Sequence, residues 1–209
     1  DPLADGPMIQ LSASRALESG TSTKGVLHLL ENLKGEINIP IILFTYFNPL
    51  LSFGFDDFCA QASEAGVAGI IIPDLPLEEA AQFSEIAESF NLDLILLVAP
   101  TTPFERMKSI SEKTRGFTYL VSVTGVTGER NNLGNRVENL ITKLKKISTN
   151  PIAVGFGISS PDHVQKVKNW GADGVIVGSA FVKRIYESDT HDILNEVRDF
   201  CKNMRFAAD

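Results

Sequence analysis

Six short, continuously apolar runs rich in β-branched and aromatic residues punctuate the chain, at residues 39–47, 67–73, 92–98, 117–122, 152–155 and 174–177. They do not alternate apolar with polar, as a strand with one wet face would. A strand that is apolar on both sides needs cover on both sides, which is the condition of a parallel sheet flanked by helices. Helical periodicity appears between the runs. Leu77, Ala80, Ala81, Ile86, Ala87 and Phe90 share one stripe, as do Val137, Leu140, Ile141, Leu144 and Ile147. A third stripe holds Ile193, Leu194, Val197, Phe200, Cys201 and Met204. Strand starts recur every two to three dozen residues or so, the length of a β-α unit, and such alternation gives right-handed crossovers onto a parallel sheet. Two α/β architectures satisfy this pattern: a (β/α)8 barrel and a doubly wound open sheet.

The barrel requires eight strands and six are legible, so the deficit is expected at the front. Residues 1–7 read as a strand-to-helix loop, with Pro7 in a first helical turn and a helix from Ile9 towards Leu17. A parallel sheet that opened on a loop would expose a strand edge and part of its core. The sequence therefore predicts N-terminal β/α units ahead of Asp1, within one domain covering residues 1–209.

The net charge of −7 disfavours nucleic acid or an anionic membrane as principal partner. No apolar run approaches the ~20 residues that span a bilayer. Cys59 and Cys201 each fall in a helical pattern, so two reduced core thiols in a reducing compartment are expected rather than a disulfide. That compartment is the cytoplasm, or a plastid stroma if the source is a photosynthetic eukaryote. His28, His163 and His191 lack metal-ligand spacing, and no acyl-transfer elbow or nucleotide-binding glycine loop is present.

Three glycine-bearing turns follow successive strands: TGVTG at 124–128, GFGIS at 155–159 and GSA at 178–180. All three fall at the C-terminal face of the sheet. There, backbone amides and the start of a short helix at Ser179 suit a phosphate, although each turn alone is also an ordinary strand-helix connection. Residues 124–135 hold almost nothing to bury and read either as a lid or as a solvated connection. Asp5 follows the expected strand end. It is either a catalytic carboxylate or a simple helix cap. Asp74 sits between two prolines directly after a strand.

The strings DPLADGPMIQ at 1–10, YFNP at 46–49, PDLP at 73–76, YLVSVTGVTG at 119–128, GFGIS at 155–159 and GSA at 178–180 occur in the order seen in the tryptophan synthase α subunit. The chain resembles that family from Asp1 to about Lys183. The resemblance, not the periodicity, implies the (β/α)8 TIM barrel. It also implies a lyase of tryptophan biosynthesis that cleaves indole-3-glycerol phosphate by a retro-aldol reaction into indole and glyceraldehyde 3-phosphate. By resemblance Asp5 accepts the indole N–H and stabilises the cation formed when ring carbon C3 is protonated. The acid-base glutamate of the family belongs to the strand before Asp1, and no glutamate of these 209 residues takes that position. The residues alone are therefore expected to be poorly stable and inactive. Phe44, Tyr46, Ile71, Tyr119 and Phe156 would line the indole pocket, with Asp74 and Thr127 also at the substrate. Thr127 would belong to the lid and touch Asp5. Gly128, Gly155, Gly157, Gly178 and Ser179 would hold the phosphate.

The loops at 1–5, 48–53 and 73–79 resemble those that face the β subunit in a heterotetramer of two α and two β subunits. Pyridoxal phosphate is then expected on the β subunit, with no cofactor on this chain. The same motifs leave room for a standalone indole-3-glycerol-phosphate lyase and for a non-catalytic activator of the β subunit. A sugar-phosphate epimerase barrel is a weaker fit, because it leaves residues 1–10 unexplained.

Overall fold

The computed structural model describes residues 5–121, 130–155, 157–188 and 192–209, with the side chains at 130–135 excepted. Strands β1 (Ile41–Phe44), β2 (Val67–Ile71), β3 (Asp93–Ile95), β4 (Leu97–Val98), β5 (Thr118–Val121), β6 (Ile152–Gly155) and β7 (Gly174–Ile176) coincide with the six apolar runs, the third run being split in two. Every pairing is parallel and the strands lie in sequence order, β1-β2-β3 and β4-β5-β6-β7. A doubly wound sheet reverses its order at a switch point. None occurs among the described strands, so the winding is that of a barrel. The two sheets are one wall, because β3 and β4 are consecutive stretches of a single strand interrupted at Leu96. The Leu96 N–H leaves the ladder to reach Thr114 Oγ1 at 2.9 Å, while its carbonyl still accepts from Tyr119 N at 3.1 Å.

Helices alternate with the strands: α1 (Pro7–Glu18), α2 (Thr23–Leu33), α3 (Phe47–Phe53), α4 (Phe55–Glu64), α5 (Leu77–Ser89), α6 (Phe104–Lys113), α7 (Arg130–Ile147), α8 (Pro161–Asn169), α9 (Ser179–Glu187) and α10 (Ile193–Ala208). Local chemistry sets several starts. Pro7 and Pro161 occupy first helical turns, where a missing N–H costs nothing. Ser22 and Ser160 cap α2 and α8 by accepting from the amides of Gly25 and His163. Gly66, at φ +84°, turns the chain out of α4 into β2.

The helix-facing core joins Ile70, Leu94, Leu120, Ile152 and Val154 of the strands to Phe58, Ala80, Ile141, Leu144 and Val164 of the helices. Beyond it, β5 and β6 alternate buried with half-buried residues rather than being buried on both faces. The half-buried set, Tyr119, Val121, Ala153 and Gly155, points by strand period to the barrel interior.

Three expectations are corrected. Residues 48–53 are not loop: they lie in α3, and residues 77–79 open α5. Residues 130–135 are not part of a loop either, since they form the start of α7. Cys59 is buried and free, but Cys201 is exposed, because α10 buries Phe200, Met204 and Ala207 and turns its next residue outward. Burial and the neighbouring Asp56 push the Cys59 thiol up to about 12, which leaves it inert. No helix of the described residues is long and apolar enough to cross a membrane.

Candidate active site

Among the described residues, Phe44, Tyr46, Ile71, Asp74, Gly155, Gly157 and Gly178 lie at or just beyond the C-terminal ends of the strands. Asp5 lies just before α1, whose cap position is Gly6 with no side-chain bond. Its carboxylate therefore does not cap the helix. Oδ2 instead accepts from Tyr46 Oη at 2.6 Å, across 41 positions of sequence, and the Asp5 carbonyl accepts from Gln10 Nε2 at 2.7 Å. Burial, then the hydrogen bond to Asp5 and the charges of Asp5 and Asp74, push the Tyr46 phenol up to about 12. It remains a neutral donor throughout the physiological range.

Tyr46 is the cap residue of α3, one step beyond the Thr45 amide that bonds the Ile71 carbonyl at 3.1 Å. One residue further, the Phe47 N–H donates to Asp74 Oδ1 at 2.9 Å. The Phe47 ring stands edge-on to Phe83 of α5 with centroids 4.8 Å apart, and Phe83 meets Phe55 of α4 at 4.7 Å. The turn that presents Tyr46 is thus held at its amide and at its neighbouring ring.

Across the wall, Phe44 is in register with Ile71 and Ile71 with Ile95, so Phe44 and Ile71 form one row. Phe44, which closes β1, is 56% exposed and offers its ring as a surface rather than to the core. Tyr119 stands in the interior-facing set of β5, its phenol raised by burial. It fills the space above Gly155: a Cβ built there would overlap the Tyr119 hydroxyl and come within 2.8 Å of Cζ. Gly155→Ala should therefore cost about 1–3 kcal/mol in a urea titration, the usual penalty of overpacking. Combined with Tyr119→Val, it should cost less than the sum of the two single losses.

Of the residues expected to hold a phosphate, Gly155, Gly157, Gly178 and Ser179 are described, and Gly155 ends β6. Gly157 turns the chain after β6 at φ +47°. Gly178 caps α9, and the first intrahelical bonds run from Phe181 and Val182 back to its carbonyl. The amides of Ser179 and Ala180 precede those bonds and face the end of the helix, where the dipole favours an anion. Helix α1, which begins beside Asp5, packs against α9, with the Arg15 guanidinium 5.7 Å from the Tyr186 ring centroid. Thr127, Gly128 and Phe156 lie outside the described residues. Among those described, no group of three or more His, Cys, Asp or Glu side chains is placed to hold a metal.

Sequence reading missed how Asp74 is engaged. The flanking prolines were a visible signal of a fixed backbone, but its partner, 27 positions away, was not.

The family model of the tryptophan synthase alpha chain matches residues 1–209. The chain belongs to the tryptophan synthase alpha chain family. It is 70% identical to the tryptophan synthase alpha chain of Prochlorococcus marinus subsp. pastoris, over all of this chain and 75% of that relative. With the alpha chain of a Synechococcus strain the identity is 58%, over all of this chain and 78% of the relative. Among solved structures, the tryptophan synthase alpha-subunit of the hyperthermophile Pyrococcus furiosus superposes with a TM-score of 0.89 at 38% identity, covering 99% of this chain and 82% of that one. Membership in the alpha chain family establishes the barrel fold and a role in tryptophan biosynthesis as an alpha subunit.

Proposed function

We propose that this alpha chain carries the cleavage of indole-3-glycerol phosphate, with Asp5 as its electrostatic catalyst. The observation that carries the reading is the bond from Tyr46 to Asp5 Oδ2, which releases the carboxylate from helix capping and fixes one of its oxygens. Oδ1 is left for the ring N–H. When a proton adds to indole C3, positive charge appears on the ring nitrogen, and a carboxylate aimed there in advance lowers the barrier. Loss of the hydroxyl proton on the adjoining glycerol carbon then forms the aldehyde as the bond to C3 breaks. The electron pair of that bond restores the aromatic ring. Phe44, Ile71, Tyr119 and Phe156 would provide apolar walls, Thr127 completes the substrate set, and Gly128, Gly155, Gly157, Gly178 and Ser179 bind the phosphate.

Proton transfer at C3 is assigned to a glutamate that none of the 209 residues supplies at the matching place, so these residues by themselves should show no turnover. Helix α3 exposes Asn48, Pro49 and Leu51, and with the turn before α5 it is the surface assigned to a β subunit in a tetramer of two α and two β chains. Pyridoxal phosphate is assigned to that partner. The two unpaired thiols fit a reducing compartment, the cytoplasm.

Indole release by the native polypeptide, measured with and without the β subunit, tests this reading. Cleavage that rises when the β subunit is added is the expected result. An equal rate without it would favour a standalone lyase. Stimulation of the β subunit with no cleavage would leave only the activator.

A further inference from the structure

We propose that Asp74 is a positioning residue for Asp5, acting through the Phe47 amide and the Tyr46 ring rather than on the substrate. The inference rests on the assignment of Asp5 above and identifies what holds that carboxylate in place.

Helix α3 starts without a cap of its own, since the Tyr46 side chain makes no bond to the helix amides and is turned to Asp5. An uncapped first turn frays. Asp74, fixed just past the end of β2 between Pro73 and Pro76, supplies the missing acceptor from another element: its Oδ1 takes the Phe47 N–H at 2.9 Å. A carboxylate at a helix N-terminus is favoured by charge as well as by the bond itself. The Phe47 ring, edge-on to Phe83, stops rotation about that anchor. Tyr46 precedes Phe47 and shares the peptide plane that Asp74 holds. Its ring direction, and so the place of Oη 2.6 Å from Asp5, follows from the anchor. Within the described part of its own segment, Asp5 accepts from Gln10 Nε2 at its carbonyl and not at its carboxylate, so the carboxylate is positioned from outside that segment. Asp74 is exposed and its Oδ1 is already used, which suits a brace better than a pocket contact.

The test compares Asp74→Ala with Asp74→Asn in the native polypeptide. The amide oxygen of Asn can still accept the Phe47 N–H, whereas Ala cannot. Asp74→Ala should lower kcat by roughly ten- to a hundredfold, the scale for a catalytic group displaced by about 1 Å. The KM for substrate and the Kd for indole-3-propanol phosphate should move by less than about threefold, and Asp74→Asn should recover most of the lost rate. Adding Tyr46→Phe to Asp74→Ala should cost little more than the worse single change, because both act on one carboxylate. Independently of turnover, the Cζ carbon-13 resonance of Tyr46 should shift with Asp74→Ala and stay near its native place with Asp74→Asn. A raised KM with no recovery by Asp74→Asn would mean a direct substrate contact. Additive losses, or an unmoved Tyr46 resonance, would likewise overturn the proposal. If the unaltered polypeptide makes no indole while the resonance shifts as described, the brace stands and the assignment of Asp5 falls.

Discussion

Asp5→Asn should reduce kcat for indole release by about 100- to 1000-fold, equivalent to about 2.7–4 kcal/mol, the usual cost of losing one group aimed at a developing charge. The substitution preserves shape. An Asn oxygen can still accept from Tyr46 Oη, so the brace and the mouth of the barrel stay in place. What disappears is the negative charge opposite the ring nitrogen, and, with the Asn oxygen taken by Tyr46, the acceptor for the ring N–H as well. The loss should therefore be far larger in kcat than in KM, and indole-3-propanol phosphate, which keeps the ring N–H but never becomes cationic, should lose only about tenfold in affinity. The Tyr46 phenol should also titrate lower than about 12, because the carboxylate's charge is gone while burial remains. A kcat within about fivefold of the unaltered protein would remove Asp5 from the mechanism.

Phe58→Ala should destabilise the fold by about 3–5 kcal/mol, measured as a lowered midpoint in urea with an unchanged slope. Phe58 is 1% exposed, in the middle of α4, and stands edge-on to Phe53 with centroids 6.1 Å apart. Its removal leaves a hole between α3 and α4 that neighbouring aromatic rings are too stiff to fill. The loss lies on the level of packing rather than chemistry. Any fall in activity should follow the folded fraction, and indole-3-propanol phosphate at saturation should restore part of the midpoint. A cost under 1 kcal/mol would mean that α3 can settle onto α4 without it.

The strands were legible because their signal is local: Ile70, Leu94 and Leu120, all buried, sit in short continuous apolar runs. Helix α7 was legible for the same reason, with Val137, Ile141 and Leu144 wholly buried on one stripe. Helix α3 was not. Its seven residues include Pro49 and leave Asn48, Leu51 and Ser52 exposed as well, and its start is fixed by Asp74 and Phe83, neither of which is near in sequence. Stripe reading also put Leu194 and Cys201 on the buried side of α10, where Leu194 is 75% exposed. The helix packs on α8 and α9 over a narrower face than six apolar residues suggest. At the site, motif order named Asp5 and Tyr46 separately. Their bond, which turns the Asp5 carboxylate to Tyr46 rather than to the amides of α1, is a contact that no local pattern encodes. Family resemblance supplied the substrate assignments, which periodicity and composition alone did not reach.

The packing of α1 against α9 has a consequence for how the protein is made. Asp5 belongs to the earliest described part of the chain and Ser179 to a late one, so the packing of α1 on α9 is a contact of very long sequence separation. Such contacts form last, after shorter loops have closed. A ribosome extending the chain would complete and bury β2 through β5 long before α9 emerged. The nascent polypeptide should therefore acquire a protease-resistant core well before it can retain indole-3-propanol phosphate, and binding competence should arrive abruptly with the final helices.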